Sequence, residues 1–224
     1  MNNRTLLRQR RIINYFIDAA DEMIRQEGID AVTIRKVADK AGYTSATLYN
    51  YFENLTHLIF LAAMNHLEEY YKEVVQRVKN CKNPVDIYLT ISECFCEYSF
   101  SKPEIYYLLF YEYEDGKVGE YTRQYYELYE DKKKYASRTL SKIIDVNNLS
   151  MRSYIMIMDC VEEGYFTLDN GKDFNEVAMR LYRSILEDVK EGKLDAEEAT
   201  KKNMKYYRQI MGFYIEPEYR SLLT

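Results

Sequence analysis

The sequence predicts an all-α protein, and three observations support this fold class. Apolar residues recur at helical spacing along most of the chain. The 3 prolines and 8 glycines fall between these apolar segments, where helices begin or end. Strand-like alternation of apolar and polar residues is scarce. With 224 residues, the chain is long enough for one large domain or two small ones with a real core.

Periodicity, capping residues and helix-ending residues together give a set of predicted helices. They cover about residues 5–26, 33–41, 45–51, 55–80, 84–100, 101–114, 120–144, 150–168, 173–191 and 195–214. Residues 115–119 form a predicted loop, and Asp-Asn-Gly171 a predicted break before a helix that starts at Asp173.

The most informative stretch is residues 33–52, TIRKVADKAGYTSATLYNYF. Its first half carries an apolar stripe at helical spacing, formed by Ile34, Val37, Ala38 and Ala41. The hydroxyl of Thr33 can cap this helix, and Gly42 suits the left-handed conformation at its end. Thr44 can cap a second helix over 45–51. The spacing therefore predicts two short helices joined by a tight turn.

The second of these helices presents a polar and aromatic surface. Leu48 and Phe52 are four residues apart and can reach back to the first helix. The outward positions are then Ser45, Ala46, Thr47, Asn50 and Tyr51, with Tyr49 at the edge. Such side chains can contact base edges and phosphates. The pattern predicts a helix-turn-helix that enters a DNA groove, although a purely structural helical hairpin fits the same spacing.

From about Arg8 to about Leu61, the sequence resembles the N-terminal DNA-binding region of TetR-family transcriptional regulators. The helix before the motif also matches at the expected offset, through Ile13, Phe16, Ala19, Ala20 and then Gly28. The resemblance implies a three-helix DNA-binding domain over residues 1–54. It implies a larger helical ligand-binding and dimerisation domain over residues 55–224, with the helix 55–80 connecting the two.

The same resemblance implies individual DNA contacts. Thr33 matches a phosphate-contacting cap, and Tyr49 and Tyr51 match aromatic positions that touch phosphates. The positions that match base or backbone contacts are Thr44, Ser45, Ala46, Thr47 and Asn50.

Two positions depart from the family pattern. Leu55 stands where the family commonly has a lysine, so a phosphate contact is missing or is supplied by His57 or Asn54. Asn50 stands where the family often has a basic residue, which is expected to lower nonspecific affinity.

Charge is distributed unevenly along the chain. The formal net charge is −5, yet residues 1–55 hold 8 Lys/Arg against 7 Asp/Glu. Four arginines without an intervening acid lie at the N-terminus: Arg4, Arg8, Arg10 and Arg11. A basic arm before a helix-turn-helix can follow phosphates in a salt-dependent manner, and an ordinary solvated terminus is the alternative.

Tyrosine is unusually abundant, with 24 Tyr and no Trp, and ten of the tyrosines lie between residues 98 and 135. Several could line a cavity for an aromatic ligand, or they could be boundary residues between core and surface. The neighbouring acids Glu97, Glu104, Glu112 and Glu114 allow a cationic ligand. The resemblance places a ligand behind helices at about 85–145, and the candidates chosen are Tyr98, Tyr107, Tyr111 and Tyr125.

Two amphipathic helices over about 150–191 are candidates for a dimer interface. Their apolar positions are Ile155, Met158, Val161 and Tyr165, followed by Val177, Leu181, Ile185 and Val189. An intramolecular core explains them equally well. The resemblance implies a homodimer through these C-terminal helices, which would bind a palindromic operator.

Catalysis, cofactors and metals have little support in the sequence. His57 and His66 begin no metal motif, and phosphate-binding glycine loops and nucleophile motifs are absent. The four cysteines show no C-x-x-C spacing, which indicates buried reduced thiols, with a redox sensor as the alternative. Neither a signal peptide nor a membrane span is indicated. We expect a cytoplasmic protein that is not an enzyme.

These observations lead to one functional expectation and one alternative. The expected protein is a sequence-specific DNA-binding transcriptional regulator, a repressor released from its operator by a small-molecule effector. The alternative is a DNA-bound architectural or adaptor protein that binds a protein partner and has no inducer. The first predicts a cavity of several hundred Å³ near the tyrosines, and the second predicts a filled core.

Overall fold

The computed structural model describes residues 3–112, 115–129, 138–143, 146 and 148–223. Helices make up nearly all of the ordered elements, and no strand occurs within these described ranges. The predicted all-α fold class is confirmed.

Eleven α-helices are described in chain order. They are α1 (Asn3–Glu27), α2 (Ile34–Ala41), α3 (Ser45–Tyr49), α4 (Leu55–Arg77), α5 (Pro84–Ser101), α6 (Pro103–Tyr107), α7 (Asp115–Leu128), α8 (Arg138–Ile143), α9 (Leu149–Glu162), α10 (Leu168–Lys190) and α11 (Ala196–Tyr214). Short 3₁₀ turns cover Ile29–Ala31, Val78–Asn80 and Pro217–Leu223, and a π-helical segment covers Leu108–Glu112.

The chain divides into two compact units. The first unit contains Met1–Glu68 and Gly116–Lys132, and the second contains Glu69–Asp115 and Lys133–Thr224. Helix α4 therefore contributes residues to both units. The domain boundary between residues 54 and 55 stays a prediction from the sequence.

The first unit is built on an aromatic and aliphatic core shared by α1, α2 and α3. Phe16 and Leu48 have no exposed surface, and Phe52 has 1%. The rings of Phe16 and Phe52 lie 5.9 Å apart at 85°, an edge-to-face geometry that adds to the benefit of burial. This core fixes α3 against α1.

Helix α7 adds a second layer to the first unit. The ring of Tyr121 stacks on His57 at 4.2 Å and 8°, and its hydroxyl donates to a carboxylate oxygen of Glu53 at 3.2 Å. Lys117 forms an ion pair with the same carboxylate at 3.0 Å. Because this pair is exposed, it contributes little free energy. The buried stack is the stronger link between α7 and the start of α4.

The second unit is a bundle in which α10 lies against α9 and α11, and α11 lies against α5. Its centre contains the fully buried rings of Phe174, Tyr182 and Tyr207. The Tyr207 hydroxyl donates to the carbonyl of Ala178 at 3.0 Å, so a buried polar group is satisfied inside the bundle.

Three predicted helix boundaries in the C-terminal half are wrong. The predicted loop 115–119 lies within α7, and the helix predicted to reach residue 168 ends at Glu162. The helix predicted to start at Asp173 begins earlier, at Leu168. Thr167 caps it by accepting a hydrogen bond from the Asn170 N–H at 3.1 Å. Part of the helix predicted over 120–144 falls in 130–137, outside the described residues.

Gly171 was predicted to lie in a break between two helices, but it lies inside α10 and faces α9. A Cβ atom at this position would lie 2.8 Å from Cγ2 of Val161 and 3.0 Å from Cγ2 of Ile157. The glycine therefore permits the close approach of α9 and α10.

Substituting Gly171→Ala should destabilise the protein. The added methyl overpacks the contact with α9, at a cost of about 1–3 kcal/mol that exceeds the gain of about 1 kcal/mol in helix propensity. Chemical denaturation would measure the difference. Gly212→Ala in α11 is the matched control, because the nearest atom to its Cβ would be Cδ1 of Leu223 at an ordinary 3.7 Å. A Gly171→Ala protein as stable as the control would contradict this account of the α9–α10 contact.

Candidate functional site

Helix α2 and the turn after it have the local geometry that the sequence predicts. The Thr33 hydroxyl accepts a hydrogen bond from the Lys36 N–H at 3.3 Å, which caps the helix. Gly42 ends it with a φ of +77°, in the left-handed region that favours glycine. The Tyr43 N–H then donates to the carbonyl of Ala38 at 2.9 Å, which closes the turn.

Helix α3 is short and is held at both ends. The Thr44 hydroxyl accepts from the Thr47 N–H at 3.2 Å, and the two threonine hydroxyls lie 3.0 Å apart. The helix ends at Tyr49 rather than at the predicted residue 51. The chain continues in a hydrogen-bonded turn in which the Tyr51 N–H donates to the carbonyl of Leu48 at 3.0 Å. Two helices joined in this way form a helix-turn-helix.

The predicted DNA-contacting residues lie together on the surface of the first unit. Thr33, Thr44, Ala46, Tyr49 and Asn50 are exposed, and Tyr49 has 56% of its surface accessible. The half-buried members of the set are Ser45, Thr47 and Tyr51. Between Thr44 and Tyr51, every residue except the buried Leu48 contributes to a ridge of hydroxyl, amide, phenol and methyl groups without a formal charge. We call these seven residues the α3 ridge: Thr44, Ser45, Ala46, Thr47, Tyr49, Asn50 and Tyr51. Its groups match the donors, acceptors and methyl contacts offered by base edges and phosphates.

Positive charge near this ridge is mostly compensated. The basic side chains of α2 have acidic partners, namely Arg35 with Asp39 at 4.0 Å, Lys36 with Glu27 at 3.1 Å, and Lys40 with Glu22 at 2.9 Å. Arg10 donates to the carbonyl of Glu127 at 2.9 Å. Arg8 and Arg11 are exposed and have no ion pair among the described residues, whereas the Arg4 side chain lies outside them. Arg8 and Arg11 are thus placed to interact with an external anion.

His57 and Asn54 were the two residues suggested to replace the phosphate contact of the missing family lysine, and the structure excludes His57. His57 is only 4% exposed because Tyr121 covers it, and this burial lowers the pKa of its imidazole. The side-chain oxygen of Asn54 accepts from the His57 N–H at 2.8 Å and caps α4. The proposed phosphate contact by His57 is therefore wrong. His66 is buried as expected, with Nε2 lying 3.0 Å from Oδ1 of Asp21.

The four tyrosines chosen as ligand contacts are not brought together. Tyr125 belongs to the first unit, where its hydroxyl donates to Asn65 at 2.8 Å. Tyr98 is half-buried in the second unit. The rings of Tyr107 and Tyr111 lie 5.6 Å apart near the surface of the same unit. Two other members of the tyrosine-rich stretch, Tyr113 and Tyr135, fall outside the described residues.

A different set of side chains lines a cavity in the second unit. This aromatic cavity has a volume of about 30 Å³ and is lined by Tyr70, Ile91, Ser92, Phe95, Cys96, Ile143, Leu149, Arg152, Ser153, Met156, Met179, Tyr182 and Tyr207. None of its tyrosines comes from the stretch 98–135. Sequence reasoning missed them because they lie far apart in the chain and converge only through packing of the bundle.

A larger open pocket, the outer basin, adjoins the aromatic cavity. It has a volume of about 440 Å³ and is lined by Phe110, Tyr111, Asn148, Leu149, Ser150, Asn175, Glu176, Met179, Arg180 and Arg183. Leu149 and Met179 line both spaces, so the two are neighbours. The narrow cavity is smaller than the several hundred Å³ expected for a ligand pocket, whereas the outer basin reaches that size.

Three of the four cysteines have the environment of unreactive thiols. Cys94, Cys96 and Cys160 are buried, and all four cysteines are free. Burial raises the pKa of the Cys94 and Cys160 thiols to about 12, so neither carries much thiolate. Among the described residues, no group of three or more His, Cys, Asp or Glu could hold a metal ion. In the same part of the chain, no helix is long and apolar enough to cross a membrane.

Comparison with known proteins agrees with this geometry. Residues 16–60 match the family model of bacterial regulatory proteins of the tetR family. Over 81 residues, 36% of this chain, the sequence is 27% identical to the HTH-type transcriptional regulator HbdR of Aromatoleum sp. strain CIB. That alignment spans 34% of the length of HbdR.

Solved structures show the same fold over almost the whole chain. The Thermus thermophilus FadR, a TetR-family repressor in complex with lauroyl-CoA, has a TM-score of 0.57 at 17% identity, covering 87% of this chain and 92% of that one. A putative TetR-family regulator from Mesorhizobium loti has a TM-score of 0.58 at 11% identity, covering 93% and 99%. RolR in complex with resorcinol has a TM-score of 0.56 at 12% identity, covering 97% and 94%.

The matched DNA-binding segment contains the two capped helices and the buried aromatic core described above. Outside that segment, the all-α fold agrees with the folds of the solved structures. Residues 16–60 thus have both the sequence pattern and the helix-turn-helix geometry of the tetR family, and almost the whole chain shares the fold of the TetR-family regulators to which it is similar.

Proposed function

We propose that the protein is a cytoplasmic, homodimeric transcriptional repressor that binds a palindromic operator and is released from it by a small molecule. The observation that carries the proposal is the α3 ridge. Leu48 and Phe52 are buried beneath it, Thr44 caps it, and Ala46, Tyr49 and Asn50 extend outward from it. An amide such as that of Asn50 can pair with adenine through two hydrogen bonds, which provides sequence specificity.

Homodimerisation is proposed through α9 and α10. These helices lie against one another and still leave apolar side chains accessible, with Met151 exposed by 49% and Val177 by 38%. Ile155, Met158 and Leu181 are half-buried nearby on the same two helices. A twofold dimer would place two α3 ridges about 34–36 Å apart, one turn of DNA, and would therefore bind a palindrome.

Release by a small molecule is supported by the second unit and by the relatives. The aromatic cavity and the outer basin together offer apolar walls with a few placed polar groups. FadR and RolR, which share the fold, were crystallised with lauroyl-CoA and resorcinol. An effector would act by binding more tightly to a conformation that does not fit the operator. The architectural or adaptor alternative receives no comparable support, and a non-enzymatic role is typical of this family.

Substitutions on the α3 ridge should weaken operator binding without unfolding the protein. Asn50→Ala and Thr47→Ala each remove a polar group that can contact a base, with an expected loss of about 1–3 kcal/mol, or about 5- to 150-fold in affinity. The operator is selected from a random DNA pool, and binding is measured by fluorescence anisotropy at fixed salt.

The matched controls are Gln209→Ala in α11 and Ser184→Ala in α10, both at exposed positions in the second unit. Their affinity should equal that of the unsubstituted protein. Thermal unfolding of all four variants separates lost contacts from lost structure. Unchanged affinity and unchanged sequence preference in both ridge variants would refute the assignment of α3 as the recognition helix.

The N-terminal arginines should contribute affinity without specificity. Replacing Arg11→Gln removes an exposed, unpaired charge, and it should reduce the slope of log affinity against log salt by about 1. The loss should be equal for operator and unrelated DNA. Arg35→Gln on α2 serves as a comparison, because Asp39 already neutralises part of that charge. A salt slope unaffected by Arg11→Gln would show that the arm makes no phosphate contact.

A further inference from the structure

The second unit contains a buried arginine that has no acidic partner among the described residues. Arg152 in α9 is only 4% exposed. Its Nε donates to the carbonyl of Val146, and its Nη1 donates to the hydroxyl of Tyr71 at 2.7 Å. The guanidinium carbon lies 5.0 Å from the centre of the Phe110 ring. Within the described part of the chain, no Asp or Glu forms an ion pair with it.

This arrangement costs the protein free energy when no ligand is bound. A guanidinium keeps its charge at any physiological pH, and a buried charge normally has a counter-ion. Neutral oxygens and an aromatic face satisfy only part of its hydrogen-bonding and electrostatic demand. The side chain is therefore suited to an anion that no described residue provides.

Arg152 also lines the aromatic cavity. The walls are mainly apolar, and the polar side chains that accompany the arginine are hydroxyls, those of Ser92 and Ser153 among them. The Ser153 hydroxyl lies 3.0 Å from that of Tyr88, so it is held in place. Among the described residues, no carboxylate lines the cavity.

The outer basin provides a path to this arginine. Phe110, the ring next to the guanidinium, lines the basin and belongs to the π-helical segment Leu108–Glu112. Segments of this kind recur at functional sites. The two arginines at the rim are already neutralised, Arg180 by Glu176 at 2.8 Å and Arg183 by Glu187 at 3.0 Å. Among the charged residues that line the two spaces, Arg152 is therefore the one without compensation.

We infer that the effector is an organic anion, a carboxylate on an aromatic or alkyl body, with its oxygens at the Arg152 guanidinium and its apolar part against the aromatic walls. This inference rests on the proposed function and specifies the ligand class of that regulator. A guanidinium binds a carboxylate through parallel charge-assisted hydrogen bonds. Tyr70, Phe95 and Tyr182 supply flat surfaces for the body of the ligand.

The cavity must widen to admit such a molecule, because about 30 Å³ holds little more than a water molecule. Met179 separates the cavity from the outer basin, and Met156 lies on another wall. Methionine side chains are flexible and change rotamer readily. Their displacement would join the two spaces and couple ligand entry to the packing of α9 and α10.

The inferred anionic ligand differs from the cationic ligand that the sequence suggested. Of the acids beside the tyrosines, Glu97 forms an ion pair with Arg77 at 2.7 Å. Glu104 and Glu112 line neither space, and Glu114 lies outside the described residues. The charge that faces the aromatic cavity is positive.

A panel of compounds matched in shape and differing in charge tests the inference on the full-length protein. The aromatic set is benzoate, benzamide and benzyltrimethylammonium, and the alkyl set is hexanoate, dodecanoate and hexanamide. Ligand-induced thermal stabilisation reports binding directly, and anisotropy of the selected operator reports release. Anions of at least one set should bind about 10- to 100-fold more tightly than their amides, and should release DNA.

Substitutions then test whether Arg152 provides the positive charge that binds the anion. Arg152→Met keeps a similar length and removes the buried charge, so we expect it to fold, to bind operator normally and to lose the preference for the anion over the amide. Arg152→Lys keeps a positive charge and should retain part of that preference. Arg220→Met, at an exposed position that lines neither space, is the matched control and should respond like the unsubstituted protein.

The outcomes separate this inference from the proposed function. Stabilisation and release by amides or cations, with no response to anions, would overturn the anionic class and leave a ligand-released repressor. An anion preference that persists in Arg152→Met would equally overturn the assignment of Arg152. Failure to select any operator would overturn the proposed function, while thermal stabilisation by the anions would still decide the ligand class.

Discussion

The burial of Leu48 and Phe52 in the core formed with α1 and α2 is the interaction on which the α3 ridge depends. Helix α3 has only five residues and could not persist alone in water. Its position is set by two completely buried side chains beneath it and by the Thr44 cap at its start. Because the buried face is fixed, the opposite face has a defined set of groups and a defined orientation. Sequence specificity requires this rigidity, since base edges are distinguished by hydrogen bonds of fixed geometry.

Much of the first unit could be predicted because its signals are local. Thr33, Gly42 and Thr44 act within three or four residues of their own positions. The structure confirms Thr33 and Thr44 as caps at helix starts and Gly42 as the cap at a helix end. His57 shows where local reasoning fails. Its place near the start of α4 suggested an external phosphate contact, but Tyr121 from a distant part of the chain covers it. Nothing in the spacing around residue 57 indicates that α7 packs there.

The second unit was harder to predict because its site is assembled from distant segments. The walls of the aromatic cavity come from α4, α5, α8, α9, α10 and α11, and tyrosine density along the sequence did not locate them. The described tyrosines between residues 98 and 135 divide between buried positions, such as Tyr106 and Tyr121, and boundary positions, such as the Tyr107–Tyr111 pair beneath Lys190 and Arg183. Gly171 gives a parallel example, because close packing on Val161 and not a turn explains the glycine.

The two units use charge in opposite ways. The α3 ridge carries no formal charge, so in the proposed regulator phosphate attraction falls to the exposed Arg8 and Arg11 of α1, which separates specificity from nonspecific affinity. In the second unit, Arg152 lies among aromatic rings without an acidic partner in the described residues, and in our inference it selects the charge of the ligand. The α3 ridge and Arg152 both lie on helices that buried side chains hold in place.

The central claim is that the α3 ridge is the surface that contacts the operator. Backbone amide hydrogen exchange of the full-length protein, measured with and without the selected operator, tests this claim most directly. The account predicts that the operator protects the amides of Thr44–Tyr51 from exchange most strongly. A smaller protection is expected in peptides that contain Arg8, Arg10 and Arg11. Protection confined to other segments, with exchange of Thr44–Tyr51 unchanged, would contradict it.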